Sequence, residues 1–326
     1  MRSCVLRAAR WCLSSLRYKG GWLAPLGLLA LVPVLILLAG DHVAVEAEDY
    51  SVYSDPKKPA IAVILSEQRN IDKFEAHFGL SDRQVDDVLA ATHLENRVLA
   101  QEFSESERVL AANKVLPKKE IAKKIAASDY DERVAAAVAR TKRRIEAIVP
   151  KDQRSDLEGW VDEHWDQEVQ AASTEDFTAS SETNTTSYHS DGILCKVFAT
   201  QYRGNTRYEV ALPHRNLKFS SQPRVHIRRV SGGPRVGPKV KEVGPWNTYD
   251  NYWMRKKYRT KFKRVPRCKP EAQLAYYQGF NEGKDEFGRE VLNPAGVDVT
   301  PAVARDMGLK KYQNAWVYVR FRWVHR

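Results

Sequence analysis

Apolar side chains recur every three to four positions between residues 61 and 172, which is the spacing of amphipathic helices. In "SEQRNIDKFEAHFG" the residues Ile71, Phe74 and Phe78 share one helix face, and Gly79 suits a helix C-terminus. The pattern predicts a helical domain over residues 61–172, built as a bundle or an elongated stalk.

Two places in this region have the spacing of a capping box, in which a Ser at the helix start is followed three residues later by Glu or Gln. Ser81 with Gln84 is the first, and Ser104 with Glu107 is the second. They predict two separate helix starts.

The pattern changes after Asp191 to short stretches of alternating or β-branched character, such as "GILCKVFATQY", "PRVHIRRV" and "AWVYVRFRW". Gly, Asn and Pro clusters separate them. Closely spaced short strands predict a small β-barrel. An insertion between Trp246 and Asn293 has a different sequence pattern and contains a helical segment that ends near Gly279.

The N-terminal region has its own pattern, with no charge from residue 20 to residue 40 and Arg and Lys before it. About 20 apolar residues suffice to cross a bilayer, and the positive flank is expected to stay in the cytoplasm. We expect a single-pass cell-membrane protein whose bulk is extracytoplasmic. Either an uncleaved anchor or a long cleaved signal peptide fits this segment.

These patterns divide the chain into five parts. The expected parts are 1–47, a cytoplasmic flank with a signal-anchor; 48–60, a polar spacer; 61–172, the helical domain; 173–190, a Ser/Thr-rich linker; and 191–326, the β-barrel. The expected fold class is therefore α+β multidomain, with an N-terminal transmembrane helix.

Charge separates the same parts, since from Tyr188 onward there are 28 Lys and Arg against 11 Asp and Glu, whereas the middle of the chain is acidic. The basic run "RKKYRTKFKR", residues 255–264, also carries two aromatics. In an exported protein the abundant polyanions are anionic wall polymers and lipid head groups, so we expect an anionic envelope polymer as partner. Charge alone supports nucleic acid, and we do not favour it.

Cys195 and Cys268 fall in the exported part, where two cysteines can pair, and the sequence leaves the pairing open. No Cys/His spacing typical of zinc occurs, and the His residues of the helical region are expected to be packed or exposed. We expect no metal and no cofactor.

One carboxylate stands out near the C-terminus. In "NPAGVDVTPAVARDMGL" Asp298 lies between two valines, and Thr300-Pro301 after it has the form of a helix start. Asp298 is therefore either the acid of a site or a group that caps or orients this helix.

Four segments in order resemble the double-psi β-barrel of RlpA-like, expansin-related wall proteins. They are "PHRNLKFSSQPRVHI" (213–227), "KEVGPW" (241–246), "GVDVTPAVARDMGL" (296–309) and "NAWVYVRFRW" (314–323). The resemblance covers about two fifths of the chain and none of the helical region. Glu242 stands where the family has an aspartate, Val243 where it has an arginine, and Ser220 where it has a glycine.

The resemblance implies a glycan-binding groove with Asp298 as general acid and Glu242 as the second carboxylate. A lytic transglycosylase needs one acid, which protonates the glycosidic oxygen and then serves as base while a sugar hydroxyl closes on the anomeric carbon. His214 is a candidate for orienting the substrate or Asp298. A packed His214 and a salt-bridged Glu242 are the structural alternatives.

The insertion offers further candidates for sugar binding, because aromatic faces beside polar groups suit sugar rings. These are Trp246, Tyr249, Asp250, Tyr252 and Trp253. The alternative is that they form the core of the insertion.

Two functions follow from these expectations. The first is a membrane-anchored wall protein that binds peptidoglycan or a related polysaccharide, with or without lytic transglycosylase activity. The second is a non-catalytic envelope protein whose helical stalk contacts another protein and whose basic barrel contacts anionic polymers.

Overall fold

The computed structural model describes residues 51–173, 192–202, 207–219 and 221–324. These described residues belong to one compact unit. The N-terminal segment for which we expected a transmembrane helix, and nearly all of the expected 173–190 linker, lie outside the described residues. Within the described ranges, no helix combines the length and the apolar character needed to cross a membrane.

The first half of the described chain is helical. Its helices are α1 (Ala60–Ile64), α2 (Gln68–Phe78), α3 (Asp82–Ala112), α4 (Lys118–Ala126), α5 (Tyr130–Ile148) and α6 (Asp156–Ser173). Short 3-10 turns at Val52–Ser54 and Lys151–Gln153 complete this half.

Local sequence signals explain several helix ends. Gly79 ends α2 in the left-handed conformation, and Ser81 with Gln84 forms a capping box at the start of α3, so both predictions are confirmed. The prediction of a second capping box, at Ser104, is wrong. Helix α3 continues through Ser104, whose hydroxyl donates to the carbonyl of Ala100 at 2.9 Å instead of capping a new helix.

The second half is built around one six-stranded sheet. Its elements are β1 (Ile193–Gln201), β2 (Glu209–Leu212), α7 (Arg215–Phe219), β3 (His226–Arg229), β4 (Lys239–Val243), α8 (Glu271–Gln278), β5 (Ala295–Val299), α9 (Pro301–Asp306) and β6 (Ala315–Phe321). The strand order is β3-β6-β1-β5-β2-β4. Strands β1 and β5 are parallel, as are β2 and β4, and the other pairs are antiparallel.

The expected double-psi β-barrel is wrong, because the sheet is not closed. Strands β3 and β4 are its two edges. Two isolated bridges, at Arg224–Lys239 and Ile227–Val236, and a few backbone hydrogen bonds join the segments beside them. Pro234 and Pro238 lie in the connection between these strands, and a proline has no N–H to donate to a ladder. A continuous closing ladder therefore does not form here.

The sheet has two differently covered faces. The inner face carries residues such as Val197, Val297 and Val317, which pack with the short helices of the second half. The outer face carries Phe198 and Trp316, which pack into a core shared with the helical half. The helical half also has a core of its own around α2 and α6. Because the outer face is buried against helices, the sheet and the helical half fold on one another.

A disulfide joins Cys195 in β1 to Cys268 in the insertion, across 73 positions of sequence. It ties the insertion to the centre of the sheet, next to the start of α8.

Candidate functional site

Asp298 lies in a row of side chains that crosses the sheet. Its register partners are Thr200 in β1 and Ala211 in β2, and Ala211 pairs in turn with Glu242 in β4. Directly opposed residues on neighbouring strands point to the same face. This carboxylate row, defined by these four residues, therefore lies on one face of the sheet, with the small Ala211 between the two acids.

The Asp298 carboxyl is 6% exposed, and the hydroxyl of Thr200 donates a hydrogen bond to it. Burial raises the pKa of Asp298 to about 7, although the Thr200 hydrogen bond partly opposes this, and Glu107 contributes a small further increase. Near neutral pH the carboxyl is thus present in both its protonated and its ionised form, as a group that first donates and then accepts a proton requires.

Asp298 does not cap the helix that follows it. Thr300 is the N-cap residue of α9, and Pro301 is its first residue, as the sequence indicates. The hydrogen bond of Asp298 goes to Thr200 in the neighbouring strand. The Asp298 carboxyl therefore takes no part in capping helix α9.

Asp298 lines a cavity between the outer face of the sheet and helix α3. The cavity encloses about 640 Å³ of non-protein space, part of it open to solvent. Its walls come from both halves of the chain, and they include Val63, Asn96, Leu99 and Phe103 from the helical half and Thr200, Tyr202, Trp246, Asn293 and Asn314 from the sheet half. The cavity exists only because the two halves are packed together.

Trp246 forms an aromatic wall of this cavity and is held by three contacts. Its indole N–H donates to Oδ1 of Asn293 at 3.1 Å, and its ring meets that of Phe103 edge-on, with 4.8 Å between centroids. Its carbonyl accepts from the guanidinium of Arg289 at 2.9 Å. These contacts stabilise a left-handed backbone at Trp246, with φ of 59°. The ring is thus fixed in place before any ligand arrives.

Glu242, the second candidate acid, belongs to the carboxylate row but has an ion partner. Lys218 Nζ lies 2.6 Å from its Oε2, and the Glu242 side chain is 41% exposed. Two strand spacings, about 10 Å, separate its Cα from that of Asp298. A carboxylate that attacks the sugar directly would need to lie about 5 Å from the acid. The spacing argues against Glu242 as a nucleophile, while the roughly 6.5–9.5 Å of an inverting carboxyl pair stays compatible with it.

His214 and Tyr249 lie elsewhere. The Nε2 of His214 is 3.2 Å from the hydroxyl of Thr260, and burial lowers the pKa of the His214 imidazole. Tyr249 is half-buried beneath Lys261, whose Nζ is 5.3 Å from the ring centroid. Neither residue lines the cavity of Asp298.

The remaining candidates are buried in the insertion and in the core beneath it. Asp250 is 1% exposed; it pairs with the buried Arg259 and accepts from the backbone N–H of Glu271 at 2.6 Å. Tyr252 and Trp253 belong to the core of the sheet's inner face. Of the five candidates for sugar binding in the insertion, only Trp246 lines the same cavity as Asp298.

Several cavity residues did not emerge from the sequence. Thr200 and Tyr202 follow the apolar part of β1 in "KVFATQY", and this polar strand end is the one signal that marks them. The pKa of Tyr202 is raised by burial and by nearby carboxylates, so its phenol keeps its proton and can donate. Asn96, from α3, donates to the carbonyl of Tyr312 at 3.0 Å.

In the described ranges, no group of three or more His, Cys, Asp or Glu is arranged to hold a metal ion. Residues 191–320 match a family model described as "Domain of unknown function (DUF8814)". The match covers the sheet half, about two fifths of the chain. No curated protein and no solved structure matches the chain.

Proposed function

We propose that this chain is a membrane-anchored envelope protein that binds peptidoglycan or a related polysaccharide and cleaves its glycan strands, with Asp298 as the acid. The observation that carries the proposal is a buried carboxyl with a pKa of about 7 at the wall of a solvent-connected cavity. The choice of substrate rests on the resemblance of four segments to RlpA-like wall proteins, whose closed barrel this sheet does not form. The apolar segment at residues 20–40 supports the membrane anchor.

The walls of the cavity suit a sugar ring, which has an apolar face and polar edges. Trp246, Phe103 and Leu99 offer apolar surface, and Asn96, Asn293 and Asn314 offer side-chain amides, which can both donate and accept hydrogen bonds. The bare backbone of Gly244 lies beside the acid, since a Cβ placed there would be 3.6 Å from Oδ2 of Asp298.

The reaction that fits one acid is an intramolecular transglycosylation. Protonated Asp298 gives its proton to the glycosidic oxygen, the bond from that oxygen to the anomeric carbon breaks, and the leaving sugar departs as an alcohol. A hydroxyl of the remaining sugar then bonds to the anomeric carbon and loses its proton to the Asp298 carboxylate. The products are an anhydro-sugar and a free chain end, no water is consumed, and Asp298 is again protonated.

The test compares the full chain with two variants on purified peptidoglycan sacculi. Anhydro-sugar release is followed by mass spectrometry, and binding by co-sedimentation. Asp298→Asn should reduce release by about a hundredfold or more, because general acid catalysis contributes that much. Glu242→Gln is the matched control and should change release by less than about threefold, since Glu242 already pairs with Lys218.

Three other outcomes have clear meanings. Equal loss in both variants would indicate a two-carboxylate mechanism. Co-sedimentation of the wild type without release would leave a binding protein that is not an enzyme. Absence of both release and co-sedimentation at low salt would contradict the glycan proposal.

The second candidate function is non-catalytic binding of an anionic envelope polymer, and one surface favours it. Residues 255–258 are exposed, with three basic side chains and a Tyr258 that is 56% exposed. Arg259, which follows them, is buried and donates to the carbonyls of Val265, Pro266 and Lys269. The basic segment is thus presented on an anchored loop. Binding through it should weaken steeply with salt, whereas sugar binding in the cavity should not.

A further inference from the structure

The turn between helices α3 and α4 is basic, although the middle of the chain is acidic. Residues 113–128 contain five lysines and a single acid, Glu120, which pairs with Lys123 at 3.0 Å. We call residues 113–119 the basic turn. Within it the side chains of Lys114 and Lys119 are exposed. Neither candidate function described above uses this surface.

An aliphatic side chain projects from the basic turn. Val115 is 85% exposed, whereas the neighbouring Leu116 packs against the core that the two halves share. The N–H of Leu116 donates to the carbonyl of Asn113 at 2.9 Å, so a backbone hydrogen bond closes the turn. A single exposed apolar residue is common on protein surfaces. This one is informative because it directly follows the exposed Lys114 on a turn of fixed shape.

Helix α4 supports the turn from below. Ile121 and Ile125 are buried in the shared core, and a Cβ placed on Gly288 would lie 3.5 Å from that of Ala122. The opposite side of the helix carries Lys119 and Lys123, which are exposed and four residues apart. Like charges at this spacing destabilise a helix. Folding gains nothing from this arrangement, whereas attraction to an anionic surface does.

The acids nearest in sequence do not neutralise the basic turn. Glu105, Glu107 and Asp131 each pair with a basic side chain outside it. Asp129 and Glu132 are exposed, but they follow the far end of α4, about 14 Å along the helix axis from its start. The positive charge is therefore concentrated at the turn itself.

We propose that the basic turn docks on an anionic bilayer surface, with Lys114 and Lys119 at the lipid phosphates and Val115 between the head groups. Lysines near an anionic membrane are attracted to it, and apolar side chains gain by entering the boundary between head groups and acyl chains. A soluble polyanion offers the charge but no apolar layer for Val115. The exposed valine therefore favours a bilayer as the partner.

Docking at this turn has a consequence for the cavity of Asp298. Phe103, which lines that cavity, is ten residues before Asn113, so the turn lies about 15 Å from it along α3. A docked chain would hold the cavity close to the membrane surface. The docking itself does not depend on the reaction proposed for Asp298.

The test is hydrogen exchange of the full chain in lipid nanodiscs, followed by mass spectrometry of peptides that cover residues 111–126. Nanodiscs of phosphatidylcholine are compared with nanodiscs of an equal mixture of phosphatidylcholine and phosphatidylglycerol. Amide exchange in the basic turn should be at least about threefold slower with the anionic lipid. The difference should vanish at about 0.5 M NaCl, because salt screens exposed charges. The assay contains no glycan, so its result is independent of the proposed glycan cleavage.

Two double variants separate the turn from general charge. Lys114→Gln with Lys119→Gln should remove most of the lipid-dependent slowing, because each lysine near an anionic surface contributes about fivefold in affinity. Lys73→Gln with Lys151→Gln is the matched control, which removes the same charge from exposed positions elsewhere in the helical half. It should leave the slowing unchanged. Val115→Ser should reduce the slowing without any change in charge.

The proposal is overturned if phosphatidylglycerol does not slow exchange in the basic turn of wild type. It is also overturned if the Lys114→Gln, Lys119→Gln variant and its matched control behave alike. Soluble inorganic polyphosphate is the remaining comparison. Slowing by polyphosphate that is equal in wild type and Val115→Ser, with no greater slowing by the anionic nanodiscs, would assign the turn to a polyanion and contradict the bilayer.

Discussion

Asp298 keeps its proton over a pH range in which an exposed aspartate has lost it. Its pKa is about 7 in the folded chain and near 3.8 when unfolded. Between these values the folded chain holds one more proton than the unfolded chain, so the free energy of unfolding falls as pH rises. At about 1.4 kcal/mol for each pKa unit, the loss reaches about 4 kcal/mol once the pH exceeds 7.

We therefore expect Asp298→Asn to be more stable than wild type at about pH 8 and equally stable at about pH 4. Asn keeps the size of the side chain and still accepts from Thr200, but it has no charge to bury. Urea unfolding at both pH values measures the difference. Glu95 and Glu271 have pKa values of about 8 for the same reason and act in the same direction, so the comparison is with wild type at each pH.

Asp86→Asn is the control, because that side chain is 70% exposed and pairs with Lys310 at 3.4 Å. It should leave the free energy of unfolding unchanged within about 0.5 kcal/mol at either pH. Equal stability of Asp298→Asn and wild type at about pH 8 would contradict the burial argument for Asp298.

At the same scale, the sequence singles out Asp298 and Trp246, which line one cavity, but not the groups around them. Asp298 stands out because it lies between two valines, and Trp246 because it opens a run of aromatic and polar residues. Thr200 has no such signature, since a threonine near the end of a strand is common. Its role depends on the parallel pairing of β1 with β5, which joins residues 98 positions apart.

Strand β5 approaches the insertion so closely that one of its residues has to be glycine. A Cβ on Gly296 would lie 2.5 Å from Cγ of Pro270, at the start of α8, and 3.1 Å from Cβ of Val197. The register between β1 and β5 also shifts here, between Phe198 and Ala199. The strand that carries Asp298 is thus in contact with the helix that follows the disulfide.

Gly296→Ala should lower the free energy of unfolding by about 1–3 kcal/mol, because the added methyl overpacks this contact. Gly159→Ala is the matched control, since Gly159 lies in helix α6 with no atom within 4 Å of an added Cβ. It should raise the free energy of unfolding by about 0.5–1 kcal/mol, through helix propensity. Thermal unfolding of both variants measures the pair. Similar effects of the same sign would contradict the close approach at Gly296.

The presence of individual helices and strands was easier to predict from the sequence than the way in which they pack and pair. The capping box at Ser81 and the cap at Gly79 act within a few residues, so the sequence indicates them directly. The box at Ser104 has the same spacing, yet the helix passes through it, because packing of α3 against α5 and the sheet half outweighs a local signal. Closure of the sheet depends on the pairing of β3 with β4, and alternation within a strand does not specify its partner.

Arg289 couples the insertion to the helical half. Its guanidinium is fully buried; it pairs with Asp285 at 2.6 Å, donates to the hydroxyl of Ser106 at 3.2 Å and also pairs with Glu107 on α3. It lies over the Phe103 ring, 4.7 Å from the centroid. One side chain thus connects both walls of the cavity around Asp298.

Arg289→Met should lower the free energy of unfolding by about 3–5 kcal/mol, because Asp285 would remain buried without its partner. Arg108→Met is the control, since Arg108 is 70% exposed and pairs with Glu105 on the same helix, and it should change stability by less than about 0.5 kcal/mol. Chemical denaturation followed by Trp fluorescence measures both. Equal stability of Arg289→Met and wild type would show that the two halves do not depend on this contact.

The whole-molecule arrangement was beyond sequence patterns for a physical reason. Periodicity shows which face of a helix or strand is apolar, but not which distant face covers it. Asn96 and Tyr312 meet across 216 positions of sequence, and the cavity of Asp298 depends on contacts of this kind. The helical half, in which the sequence analysis named no candidate site residue, supplies one wall of that cavity.

The outer face of the sheet packs against the helical half, and this affects whether the segment matched by the family model can stand alone. The segment recognised by the family model, residues 191–320, begins and ends inside a compact unit that starts at residue 51. Cut out alone, it would leave Phe198, Trp316 and Tyr276 without the helices that bury them. The segment is therefore not self-sufficient as a soluble module in this protein. Another protein that contains this segment would need other residues to bury the outer face of the sheet. Those residues would determine which ligands can enter the cavity that Asp298 lines.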